Sequence, residues 1–174
     1  MALQKCILLR VFDGIDEELR EISRVLGEVE KIDEMCEKCV GRGLWGVQRT
    51  WAKRFLMGES FAVIAPTGVG KTVFGMLISL YTAMKGGRAY ILVPTALLAK
   101  QVGDRLNAFA ERVGTPVRVL SYHSLLPRGE ARRVLESIRA GDFDVLVTTS
   151  AFLSRRFDLV KPFRFDLVFV DDVD

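Results

Sequence analysis

The stretch Phe61-Ala-Val-Ile-Ala-Pro-Thr-Gly-Val-Gly-Lys-Thr72 restricts what this chain can fold into more than any other. Phe61 to Ala65 make an apolar run of strand length, and the apolar residues from Val73 to Met84 recur at helical spacing. The loop between them carries a chain from a buried strand into a helix N-terminus. Gly68 and Gly70 let backbone N–H groups turn inward, where they and the positive end of the helix dipole attract a polyphosphate. In such a loop Lys71 reaches the terminal phosphates and the Thr72 hydroxyl is a ligand for Mg²⁺. A chance glycine turn before a helix is the competing reading. It does not account for strand, loop, lysine, hydroxyl and helix falling in this order.

The rest of the chain repeats strand and helix. Apolar runs at Arg88–Val93, Val117–Ser121, Asp144–Thr148 and Leu167–Val170 predict strands, and helical spacing predicts helices over Ala96–Val113, Glu130–Ala140 and Ala151–Arg156. Such alternation implies an α/β domain, a parallel sheet flanked by helices on both faces. Ligands then gather at the carboxyl ends of the strands. Upstream, Ile15, Leu19, Ile22, Val25, Leu26, Val29, Ile32 and Met35 predict an amphipathic helix that Gly41-Arg-Gly43 ends, and a second helix runs from Trp45 to Met57. Residues 1–14 show little pattern, and Asp13-Gly14 reads as a turn. The expected organisation is a helical segment over 1–43 and a nucleotide-binding domain over 44–174.

Length and composition exclude several classes. With 174 residues and 49% hydrophobic content, the chain supports one domain with a real core. A net charge of +3 is too small to argue for nucleic acid by itself. No apolar run approaches a membrane span and no secretory leader opens the chain, so the cytoplasm is the expected compartment. Three cysteines fit a reducing environment. Cys36-x-x-Cys39 has the spacing of a metal knuckle, yet a tetrahedral zinc needs four ligands. Cys6 has no near partner and His123 is far along the chain, so zinc is not expected.

Leu167-Val-Phe-Val170 is followed by Asp171-Asp-Val-Asp174, which places carboxylates at the end of a buried strand. Such carboxylates can hold Mg²⁺ and orient water. Alone they also read as a solvated acidic turn.

With the loop Ala65-Pro66-Thr67-Gly68-Val69-Gly70-Lys71-Thr72, this segment resembles superfamily 2 helicases, which place alanine where the general phosphate loop has glycine. The combination of Trp45-x-x-Gln-Arg-Thr-Trp-Ala-Lys-Arg54, this loop, Tyr122-His-Ser124, Thr148-Thr-Ser-Ala-Phe-Leu-Ser-Arg155 and Phe169-Val-Asp-Asp-Val-Asp174 is more specific. It resembles the reverse gyrase family, in which a helicase-like ATPase is fused to a type IA topoisomerase that positively supercoils DNA in heat-loving organisms.

The resemblance implies a RecA-like domain using ATP and Mg²⁺. Residues 65–72 would bind the phosphates, with Lys71 essential for hydrolysis. Thr72 and Asp171 would hold the metal, and Asp172 would activate water. The family has a glutamate in place of Asp172, so the shorter side chain implies slow turnover. Gln48 would pair with the adenine edge, since an amide both donates and accepts; a surface glutamine is the alternative. The aromatic that would stack on adenine is unassigned.

Thr95, Lys100, Thr148 and Thr149 follow strands where the family contacts a nucleic acid backbone. The threonines read equally as helix caps. The resemblance further implies DNA as partner, and a second RecA-like domain and a topoisomerase module beyond Asp174. Without them the isolated chain is expected to hydrolyse ATP poorly and to leave a sheet edge partly bare. The residues alone leave open another superfamily 2 helicase or a free-standing nucleotide- or nucleic-acid-binding module.

Overall fold

The computed structural model of the chain describes residues 2–171. A long helix α1 (Ala2–Val40) leads into α2 (Gly46–Leu56), and the glycine loop opens onto α3 (Lys71–Met84). The chain then alternates β1 (Ala89–Val93), α4 (Ala96–Val113), β2 (Val119–Ser121), α5 (Arg128–Ala140), β3 (Val145–Thr149), the short helices α6 (Ser150–Arg155) and α7 (Phe157–Val160), and β4 (Leu167–Val170). All ladders are parallel, in the order β2-β3-β1-β4.

Successive residues of a strand point to opposite faces, and the central strands divide their side chains accordingly. Ala89, Ile91, Val93, Val145 and Val147 enter a core closed by α1, α3 and α4. Tyr90, Leu92 and Leu146 enter a second core with Ile138, Phe143, Phe152 and Val160. The doubly covered parallel sheet is therefore the one the alternation predicts.

The helix α1 differs from expectation in starting at Ala2 and running through Asp13-Gly14 without a turn. Val25, Val29, Ile32, Cys36 and Cys39 recur at four- and three-residue steps and form the stripe it buries. Residues 16–24 are exposed throughout. Burial pushes both described thiols up, Cys39 to about 11, as expected of core cysteines. Gly41, at φ +82°, ends α1 in the left-handed conformation that glycine adopts without strain.

One expected strand does not form. Phe61–Ala65 joins no ladder. In the sheet β1 is already paired on both sides, and a cleft of about 920 Å³ separates Gly58–Val63 from the outer edge of β4. A strand exists only where a neighbour completes its hydrogen bonds, so an apolar run of the right length remains irregular here. Val168 and Val170 on β4 are correspondingly about half exposed, and Ile64 is 98% exposed.

Candidate functional site

The glycine loop has the form its sequence requires. Gly68 and Gly70 sit at φ +85° and +84°, and Gly70 is the N-cap of α3. Gly70 is constrained twice over, because a Cβ there would lie 2.8 Å from Nε2 of Gln48. Lys71 folds back so that its Nζ donates to the carbonyl of Ala65 across the loop, at 3.0 Å.

The two segments picked out for metal chemistry meet. Thr72 Oγ1 donates to Asp171 Oδ2 at 2.5 Å, joining residues 99 positions apart. Asp171 is 3% exposed and its backbone N–H donates to Leu92 O, which extends the sheet's bonding just past β4. The packing of α3 on β4 enforces this approach. A Cβ on Gly75 would fall 2.3 Å from the Phe169 ring, so only glycine allows the helix this close. Asp172 lies outside the described residues.

Gln48 is buried, at 3% exposure, and is not a surface glutamine. Its Oε1 accepts from Trp45 N at 3.0 Å, the side-chain-to-backbone half of a capping box. Its Nε2 donates to Val69 O at 3.2 Å, with Gly70 O at 3.4 Å. The amide thus ties the start of α2 to the loop. The turn before α2 is held in its own way: Asp33 on α1 accepts from Leu44 N and from the Arg49 guanidinium, both at 2.5 Å. Sequence reading missed Asp33, and one acid among many on an amphipathic helix carries no local signal.

The four residues expected at strand ends separate into three kinds. Thr95 caps α4 by accepting from Leu98 N, and Thr149 caps α6 by accepting from Phe152 N, both at 3.2 Å. Both lie at carboxyl ends of strands. Lys100 is exposed on α4 in an ion pair with Asp104 at 2.7 Å. Thr148 is fully buried, its hydroxyl 2.7 Å from that of Tyr90. It ties β3 to β1 inside the protein and points at no outer face.

A second wall of the loop was also missed. Leu98, Gln101, Val102 and Arg105 on α4 face Pro66–Thr72 across a cavity of about 420 Å³. Their three-, four- and seven-residue spacing marks one helical stripe, a signal present in the sequence but normally read as core.

Among the described residues no three His, Cys, Asp or Glu side chains come together. The Thr72 hydroxyl and Asp171 carboxylate are nevertheless hard oxygen donors already in contact beside a phosphate-type loop, a pair that suits Mg²⁺ shared with a phosphate better than a closed protein cage.

The chain is similar to several known proteins. A reverse gyrase of Pyrobaculum aerophilum is 50% identical over 145 residues, covering 83% of this chain and 12% of that protein. One of Pyrococcus horikoshii is 45% identical over 175 residues, covering all of this chain and 11% of its own length. Reverse gyrase 1 of Aeropyrum pernix is 46% identical over 169 residues, covering 96% of this chain and 12% of its own. The chain spans about an eighth of the length of these relatives. The DEAD/DEAH box helicase model matches residues 45–174, from the start of α2 through the acidic segment. The chain belongs to the DEAD/DEAH box helicase family.

Proposed function

We propose that this chain carries the first ATP-binding half of the helicase-like motor in a longer, ATP-dependent DNA topoisomerase of the reverse gyrase kind. The observation that supports this most is the Thr72–Asp171 hydrogen bond, which brings the loop and the acidic strand end to one point. The three relatives above carry the name reverse gyrase and align over most of this chain.

In this reading residues 44–174 bind nucleotide and the preceding helical segment, 1–43, braces them. Residues 65–72 wrap the phosphates with backbone N–H groups, and Lys71 exchanges the Ala65 carbonyl for a phosphate oxygen. Thr72 and Asp171 hold Mg²⁺, which when bound neutralises charge on the terminal phosphates. Asp172 holds the attacking water. Gln48 meets the adenine edge; because its amide now bonds Val69 and Gly70, engaging the base alters the bracing of the phosphate loop. Thr95, Lys100 and Thr149 offer hydroxyls, a helix N-terminus and a cation to a DNA backbone. Turnover by the 174 residues alone is slow, since no second domain closes over the nucleotide to supply an arginine.

The test is made on the longer protein. DNA-stimulated ATP turnover, with positive supercoiling of closed circles, should vanish in Lys71→Ala. Turnover indifferent to Lys71 refutes the site. Strand unwinding without any change in linking number replaces the topoisomerase with a simple helicase.

A further inference from the structure

The wall opposite the phosphate loop is a built feature that the motif does not include. The helix α4 leaves β1 through its Thr95 cap and is pressed onto β2 at Gly103, where a Cβ would lie 2.6 Å from Ser121 Cβ. That contact fixes how the helix is rotated. The stripe of Leu98, Gln101, Val102 and Arg105 is thereby turned to the loop, with Val102 buried and the two long polar side chains at the solvent end of the cavity. The Arg105 guanidinium lies over the Phe109 ring at 5.5 Å and makes no ion pair among the described residues. A planar cation beside a loop that gathers N–H groups is placed to take a phosphate oxygen, and arginine binds phosphate in bidentate fashion. Gln101, one turn earlier on the same stripe, adds an amide donor.

We propose that Arg105, with Gln101 beside it, contacts the terminal phosphate of a nucleoside triphosphate held in the phosphate loop and makes this half-site prefer triphosphate over diphosphate. The inference rests on the ATP-site reading above. Arg105 would bind the nucleotide directly, and the bond it makes exists only while the third phosphate is present. Giving up the Phe109 contact costs little, since Arg105 is exposed and its guanidinium stands 5.5 Å from the centre of that buried ring, near the outer limit of a cation–π contact.

The experiment is calorimetric titration of the 174-residue chain, with Mg²⁺, using a non-hydrolysable ATP analogue and separately ADP. In Arg105→Ala the analogue should bind about tenfold more weakly, the scale of one lost charge-assisted bond, while ADP affinity changes less than about twofold. Arg105→Lys should recover part of the difference, and thermal melting checks that both variants fold. Equal losses for the two nucleotides, or no loss for either, overturn the inference. Lys71→Ala separates this failure from that of the site: if it weakens both nucleotides while Arg105→Ala weakens neither, the loop stands and Arg105 has no role. If the unsubstituted chain binds neither nucleotide, the inference about Arg105 falls, and the ATP-site reading is decided by turnover of the longer protein.

Discussion

Replacing Gln48 tests the link between the start of α2 and the phosphate loop. In Gln48→Ala, Trp45 N–H loses its acceptor and Val69 O its donor, at bonds of 3.0 and 3.2 Å. The 3.4 Å contact to Gly70 O adds little, because that carbonyl already accepts from Phe74 N at 2.9 Å. Two net bonds of about 1 kcal/mol each put the loss near 2 kcal/mol, or roughly 4–8 °C in melting temperature for a chain of this size. Gln48→Glu is the sharper variant. It keeps the acceptor for Trp45 but turns a buried carboxylate oxygen toward the Val69 and Gly70 carbonyls, adding on the order of 1–3 kcal/mol at neutral pH.

That penalty has a definite sign with pH. The carboxyl in the folded state would titrate above its unfolded value, so the folded protein binds more protons, and the variant gains stability as pH falls toward about 4. Thermal and urea unfolding followed by far-ultraviolet circular dichroism, at pH 7 and pH 5, measures both effects. A glutamate variant as stable as the alanine variant at pH 7, or one with no pH dependence, would mean that the Nε2 bonds to the loop do not hold the two segments together.

Three other outcomes follow from the packing. Gly75→Ala places a methyl against the Phe169 ring and should destabilise by about 1–3 kcal/mol; Phe169→Leu should relieve part of this in a double-mutant cycle, and strict additivity would contradict the close approach. Glu28 bonds Lys31, Tyr81 and Lys85, which hold its carboxyl down at about 2. A depressed carboxyl stabilises above its unfolded pKa and ceases to do so as pH falls through the folded one. The stability difference between the parent and Glu28→Gln should therefore be full above about pH 5 and vanish near pH 2 in acid titrations of unfolding. Hydrogen exchange should be fast along Phe61–Ala65 and the outer edge of β4 in this chain, and slow in a protein extended past Asp174. Equal exchange in both would show that no further segment fills the cleft.

Much of the site was legible locally. A phosphate loop is a run of adjacent residues whose conformation follows from glycine, the helix N-terminus and one lysine, so residues 65–72 could be named before any fold was known. The acidic strand end gained meaning only beside that loop, whereas the alternation of apolar runs and helical stripes was enough for a parallel sheet covered on both faces. What could not be read was which residues distant segments place beside one another. Thr148 and Thr149 are neighbours in sequence with the same chemistry, yet one is sealed against Tyr90 and the other caps α6, because alternate strand residues face opposite ways and the strand ends at Thr149.

The sequence by itself determined the order of elements, the glycine loop and an acidic residue at a strand end, since these rest on short-range stereochemistry and on the hydrophobic period. Only the tertiary structure decided that Gln48 is bonded to the loop, that Arg105 lines its far wall, and that Phe61–Ala65 has no strand to pair with. Each of these depends on helix rotation or strand order. Those are set by the packing of side chains 20 to 100 residues apart, and no local window of sequence contains that information.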